Sequence, residues 1–239
     1  MAERGGALAG KIALVTGGGR GIGAAVAMAY AREGADLILA SRTDTELLAV
    51  ANEARALGAT VHGVSADMAE PRDVERLVRS ALKTFGRIDV LVNNAGVSHP
   101  EVPTWTIDLG DWDRTLAVNL RGPFLLVRAL LPHFLARREG SVINVSSVCG
   151  SVAYANYAAY TASKFGLEGL TRVLAEETRR LGVRVNAVDP GLVATRMSRF
   201  QGVKPERVTG VFVYLASDAS RKVTGRTLHA SRWRVEVAR

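Results

Sequence analysis

A single cysteine, Cys149, in a chain of 239 residues excludes an internal disulfide and fits a reducing compartment such as the cytoplasm. Its expected place is a small buried side chain beside Ser147. Aromatic residues make up only 6% of the chain, and the 31 Lys and Arg, which leave a formal charge of +8, are scattered. No basic block is longer than Arg137-Arg138 or Arg179-Arg180. Dispersed charge without interleaved aromatics argues against a nucleic-acid partner and reads as solvated surface with attraction for an anionic ligand. No apolar run reaches the ~18 residues of a membrane span, and the opening MAERGGALAGK has no apolar segment of the kind a secretory signal needs. His62, His99, His133 and His229 lack the spacing of a metal site, and no G-x-S-x-G elbow accompanies them, so no metal is expected and hydrolase and metalloenzyme classes fall away. Linkers, repeats and low-complexity segments are absent too, so one domain over 1–239 is expected.

What is present is a regular alternation. With 48% hydrophobic residues the chain can bury a full core. Short apolar runs at 11–16, 36–41, 60–65, 88–92, 141–145, 183–188 and 226–229 predict strands. Helical patterns lie between them at 22–33, 44–57, 71–85, 108–138, 157–180 and 205–215, the fourth interrupted near Gly122-Pro123. Gly34, Gly58 and Gly86 stand as stop signals, and Pro71 stands where a first helical turn tolerates it. Strand and helix in such alternation predict an α/β fold, a parallel sheet covered on both faces.

The first strand runs into Thr16-Gly17-Gly18-Gly19-Arg20-Gly21-Ile22-Gly23. Glycines between a strand and a helix allow a tight turn, let a pyrophosphate approach the backbone and present it to the helix N-terminus. Residues 5–11 imitate a phosphate loop, but Ile12 stands where that motif needs Ser or Thr. Further on, SSVCGSVAYANYAAYTASK at 146–164 holds Ser147, then Tyr160, then Lys164 one helical turn later. Positions i and i+4 share a helix face, so phenol and ammonium point into one space, and a fixed cation favours the phenolate. A serine delivered from a strand end can polarise a carbonyl at the same point. Asn144-Val145-Ser146 has the form of a glycosylation acceptor but falls in a predicted buried strand.

These motifs carry a resemblance. TGGGRGIG at 16–23, NNAG at 93–96, Asn119, Ser147 and YTASK at 160–164 resemble the short-chain dehydrogenase/reductase family of the T-G-x-x-x-G-x-G kind, including its 3-oxoacyl-[acyl-carrier-protein] reductases. The resemblance covers nearly the whole chain. It implies a three-layer, doubly wound Rossmann fold with seven parallel strands. Residues 1–140 would be the cofactor-binding half and 141–239 the catalytic and substrate half. It implies Tyr160 as general acid or base, Lys164 lowering its pKa and holding the nicotinamide ribose, Ser147 orienting the substrate oxygen, and Asn119 supporting a proton relay. Asn119 has an equal claim as a tie between backbone segments.

The same resemblance places the cofactor against Gly17, Gly19, Arg20, Gly21, Ile22 and Gly23. Ser41, Arg42, Asp67 and Met68 follow, then Asn93, Ala95 and Gly96, with Asn93 most involved, and finally Tyr160, Lys164, Pro190, Gly191, Val193 and Thr195. Asp67 has a rival reading as the N-cap of the next helix.

An acid at the end of the second strand marks NAD sites. Here Ser41 and Arg42 stand there, so NADP(H) is expected, with Arg20 approaching the 2′-phosphate from the other side. Arg42 has a rival reading as an exposed loop residue near Asp44. The chain departs from its relatives in the short stretch between Thr195 and Pro205, which predicts a reduced or poorly formed lid, and in a tail reading SRWRVEVAR. Residues 98–105, 148–157 and 192–202 should face the substrate; being mostly small, apolar or aromatic, they suggest an apolar carbonyl compound or alcohol. Apolar residues on several helix faces, among them Phe124, Leu125, Leu126, Leu167, Leu170 and Leu174, predict a homotetramer or dimer. The expected activity is hydride transfer between a nicotinamide and a carbonyl or secondary alcohol, the alternative a dinucleotide-binding scaffold with little catalysis.

Overall fold

The computed structural model describes residues 5–238. Met1–Arg4, where the leader reading begins, and Arg239 lie outside it. In chain order the elements are β1 (Ile12–Thr16), α1 (Gly21–Arg32), β2 (Asp36–Ser41), α2 (Asp44–Ala56), β3 (Val61–Ser65), α3 (Pro71–Phe85) and β4 (Val90–Asn93). There follow α4 (Leu109–Leu116), α5 (Gly122–Arg137), β5 (Gly140–Val145), α6 (Ala158–Thr178), β6 (Val183–Asp189), α7 (Thr209–Ala216), β7 (Thr227–His229) and α8 (Trp233–Val237).

Alternation along the strands decides the layering. Ala13 and Val15 of β1 face one core cluster with Val26 and Tyr30 of α1, Leu47 and Ala54 of α2, and Phe212 and Leu215 of α7. Ile12 and Leu14 face the other, with Leu77 of α3, Leu130 and Phe134 of α5, and Leu174 of α6. Both faces of the sheet are therefore covered, which is why its strands read as continuous apolar runs. The sheet has seven strands in the order β3-β2-β1-β4-β5-β6-β7, every pairing parallel. This is the doubly wound α/β architecture the sequence predicts. The order reverses between β1 and β4, so the carboxyl ends of these strands open a crevice.

Three elements differ from the expectation. The irregularity placed near Gly122-Pro123 falls at Ala117–Arg121, a π-helical turn joining α4 to α5 without a break. Pro123 cannot donate to the carbonyl of Asn119, and the ladder widens in the turn before it. Residues 205–215 divide into a 3₁₀ turn at Pro205–Val208 followed by α7. The tail folds back as α8, too short to show a period. Glu236 holds it there, accepting from the His229 N–H at 2.8 Å and from Arg232 Nε at 2.8 Å, while Trp233 lies 4.8 Å from Tyr214, ring to ring.

Candidate active site

β5 ends at Val145, and the chain turns beyond it through Ser147, which is extended and caps a 3₁₀ turn at Val148–Gly150. The Ser147 hydroxyl accepts from the Cys149 N–H at 3.2 Å and is hydrogen-bonded to the Tyr160 phenol. Glu168 of α6 fixes the turn from below: its carboxylate accepts from Ser146 Oγ at 2.8 Å, and a methyl group on Gly150 would lie 2.2 Å from it. Cys149 is buried here, and burial raises its thiol pKa, so it stays a thiol.

Lys164, one turn along α6, is buried with its Nζ 5.5 Å from the Tyr160 ring centroid. The shared space predicted for phenol and ammonium is therefore present. The predicted lowering of the Tyr160 pKa is not. Lys164 Nζ donates instead to the Val145 carbonyl at 2.7 Å, and burial pushes the phenol up to about 12 despite the Ser147 hydrogen bond. Desolvation also brings the Lys164 ammonium down to about 8. Burial therefore favours the protonated phenol of Tyr160 at neutral pH.

Asn119 sits in the π-helical turn. Its Nδ2 donates to the Val97 carbonyl at 2.8 Å and to Ser163 Oγ at 3.1 Å, and its Oδ1 accepts from the Val97 N–H at 2.9 Å. It thus ties the loop after β4 to α6. A methyl on Gly96 would lie 3.5 Å from Asn119 Oδ1 and 4.0 Å from Lys164 Nζ, so these three residues converge.

The glycine loop is a cradle that side chains would fill. Gly17 and Gly21 hold φ of 64° and 55°, open to glycine at little cost. A methyl on Gly23 would lie 2.2 Å from the Gly17 carbonyl oxygen, and one on Gly19 would lie 3.0 Å from Ser41 Oγ. No side chain caps α1 at Arg20, so its first N–H groups remain available to an anion. Ile22 is partly buried against the core. These features fit the pyrophosphate of a dinucleotide.

The loop is fastened to the end of β4 by Asn94, whose Nδ2 donates to the carbonyls of Thr16 at 2.8 Å and Gly17 at 3.2 Å. Thr16 Oγ1 accepts from the N–H groups of Asn94 and Ala95, both at 3.0 Å. Asn93, which the resemblance makes the most involved of this motif, is tied to β5. Asn93 is 3% exposed and donates to Asn144 Oδ1 at 2.8 Å, and Asn144 Nδ2 donates in turn to Thr171 Oγ1 of α6 at 2.8 Å. Strand alternation explains the exchange: Asn93 shares a face with Leu91 toward α6, Asn94 shares one with Val92 toward α1. That signal was present in the sequence. Asn144, fully buried, is no surface acceptor.

At the outer end of the crevice Ser41 Oγ accepts from the Thr43 N–H at 3.2 Å, and Arg42 is exposed. Asp67 is not an N-cap, a position held by Glu70. It accepts from Arg114 Nη2 at 2.7 Å and from the Ala69 N–H at 2.9 Å. Burial pushes its carboxyl up, but these bonds and the nearby charge of Arg42 outweigh burial and hold it low. Met68 is buried, its carbonyl against Gly122. Arg20 does not stand free: its Nη1 meets the Glu46 carboxylate at 3.1 Å and 3.3 Å, and Arg196 Nη1 meets the same carboxylate at 3.0 Å.

At the inner end Pro190 leads into Gly191, whose N–H donates to Asp189 Oδ1 at 2.9 Å, while Asp189 Oδ2 meets His229 Nδ1 at 3.0 Å. The stretch expected to form a reduced or poorly formed lid is a helix-free loop held by its own contacts. Val193 bridges to Val203, and Ser198 Oγ donates to the Val193 carbonyl at 2.6 Å and accepts from the Thr195 N–H at 3.0 Å. The Thr195 methyl lies 3.3 Å from where a methyl on Gly21 would be, so the loop reaches the glycine cradle. On the substrate side His99 is 6% exposed, its Nδ1 2.6 Å from the Pro100 carbonyl and its Nε2 without a partner in the protein. Among the described residues no three His, Cys, Asp or Glu gather as a metal site, and no helix is long and apolar enough to cross a membrane.

Sequence reasoning missed Glu46, Arg114, Asp189 and Arg196, because each works through a partner far away in the chain, and it passed over Asn94 although strand alternation marks it.

Comparison with known proteins agrees with this geometry. The family profile described as short chain dehydrogenase matches residues 11–205. The D-threitol dehydrogenase of Mycolicibacterium smegmatis is 37% identical over 92% of this chain and 91% of its own. The 3-oxoacyl-[acyl-carrier-protein] reductase FabG of Thermotoga maritima is 35% identical over 92% and 96%. Among solved structures, a candidate NAD(P)-dependent gluconate 5-dehydrogenase of Beutenbergia cavernae, with NADP bound at low occupancy, superposes with a TM-score of 0.89 at 35% identity, covering 98% of this chain and 100% of that one. Carveol dehydrogenase of Mycobacterium avium in complex with NAD gives a TM-score of 0.89 at 29% identity, covering 94% and 97%. Fold, glycine cradle, Ser147, Tyr160 and Lys164 and these likenesses together make the chain a member of the short-chain dehydrogenase/reductase family of oxidoreductases.

Proposed function

We propose that the protein is an NADP(H)-dependent reductase of an apolar ketone, aldehyde or 3-oxoacyl thioester, with Tyr160 as the proton donor. One observation carries the reading: the Tyr160 phenol, bonded to Ser147, has its ring centre 5.5 Å from the buried Lys164 Nζ. A nicotinamide held in the crevice would supply hydride chemistry toward a carbonyl carbon. Ser147 donates a hydrogen bond to the substrate oxygen and orients it. Tyr160 gives that oxygen its proton as the alcohol forms, and a phenol that is neutral at working pH suits the reducing direction. Lys164, close to half-protonated near pH 8, returns the proton to Tyr160, with Asn119 holding the neighbouring backbone through Val97 and Ser163.

The dinucleotide is held by Gly17, Gly19, Gly21, Ile22 and Gly23 at the pyrophosphate, by Ser41, Arg42, Asp67 and Met68 at the adenosine, and by Ala95, Gly96, Pro190, Gly191, Val193 and Thr195 along the inner crevice. Arg42, exposed beside a strand end without an acid, supports the 2′-phosphate form. The protein works in the cytoplasm as a homo-oligomer, its residues 1–140 binding cofactor and 141–239 completing the substrate site.

The test is incubation with NADPH and a panel of ketones, aldehydes and 3-oxoacyl thioesters. Oxidation of NADPH by at least one class is expected. Silence across the panel with normal NADPH binding would make the protein a dinucleotide-binding scaffold.

A further inference from the structure

Glu46 stands in the first turn of α2, in the corner made by Gly19 and Ser41. Gly19 allows this approach, since a methyl there would lie 3.0 Å from Ser41 Oγ and 3.1 Å from Glu46 Cβ. The carboxylate is shared: Oε1 and Oε2 accept from Arg20 Nη1 at 3.1 Å and 3.3 Å, and Oε1 forms an ion pair with Arg196 Nη1 at 3.0 Å. One acid thereby links the glycine loop, α2 and the loop after β6.

We propose that Glu46 is a specificity-determining residue, which restrains binding of the phosphorylated dinucleotide by competing for Arg20. The inference rests on the dinucleotide reading above. An exposed ion pair is weak, so a phosphate dianion can draw Arg20 away from Glu46. The displaced carboxylate keeps Arg196 as its partner, so the cost set against NADPH is the loss of the Arg20–Glu46 pair. A dinucleotide with a free 2′-hydroxyl brings no second anion and leaves the Arg20–Glu46 pair undisturbed. Glu46 therefore lowers affinity for NADPH and leaves affinity for NADH nearly unchanged.

Equilibrium titration of the protein with NADPH and with NADH, followed by quenching of tryptophan fluorescence, tests this in wild type, Glu46→Gln, Arg20→Ala and the double variant. Glutamine keeps the stem and removes the charge, and a melting curve verifies that α2 persists. In Glu46→Gln the ratio of NADPH to NADH affinity should rise by about three- to fivefold, the scale of one exposed ion pair, with a steeper fall on adding salt. In the Arg20→Ala background the same substitution should change the ratio less than twofold. An unchanged ratio, an equal gain without Arg20, or weakened binding of both dinucleotides would overturn the proposal. A wild type that prefers NADH would overturn the NADP(H) assignment alone, because the shift caused by Glu46→Gln is read relative to wild type.

Discussion

Tyr160 and Lys164 show how burial overrides a charge pair argued from spacing. The i, i+4 relation brings the two side chains together, but desolvation penalises the charged form of both, and it moves the phenol up and the ammonium down. For Lys164 the sign is definite. Between about 8 in the folded protein and its ordinary value near 10.5, the unfolded chain binds a proton that the folded chain does not, so Lys164 makes stability rise with pH across that window. Lys164→Met should abolish this contribution; urea unfolding from about pH 8 to about pH 10 should show wild type gaining on the variant as pH rises. A parallel pair of curves would contradict a buried cation. Tyr160→Phe removes the proton donor and little volume, so turnover should fall by about a hundredfold or more while the NADPH dissociation constant moves less than threefold. Arg42→Ala should weaken NADPH by about tenfold through one lost charged hydrogen bond and spare NADH, which paired titrations would reveal.

At the scale of elements, the glycine loop works because Gly23 has no side chain. A methyl 2.2 Å from the Gly17 carbonyl forces the cradle apart, so Gly23→Ala should lower stability by about 1–3 kcal/mol and abolish dinucleotide binding, measured by denaturation and by fluorescence titration. Such local features were legible in the sequence. Gly34, Gly58 and Gly86 end their helices at φ of 88°, 88° and 72°, and Pro71 opens α3. What stayed hidden lies where elements meet. The π-helical turn carrying Asn119 depends on the proline that follows it, and the five-residue α8 has no period to detect. Glu46 meets Arg196 only because the loop after β6 closes over the glycine cradle. Asn94 was missed through motif habit and not through lack of signal, since strand alternation separates it from Asn93.

At the scale of the molecule, the helix faces argued to be left over are only partly so. Leu126, Leu167 and Leu174 pack into the core, whereas Phe124 stays 44% exposed, joined on α6 by Phe165 at 45% and Val173 at 54%. Sedimentation of the micromolar protein should show a dimer or tetramer, and Phe124→Asp with Phe165→Asp should yield a folded monomer; a monomeric wild type would leave these faces without the proposed partner. The strand order also has a consequence for synthesis. β1, made first, has β2 on one side and β4 on the other, so as the chain leaves the ribosome its second edge stays open until residues 90–93 have emerged. Unpaired, apolar strand edges recruit other chains. The nascent first half is therefore the stage at which this protein is most exposed to aggregation, and the stage at which a chaperone would be most useful to it.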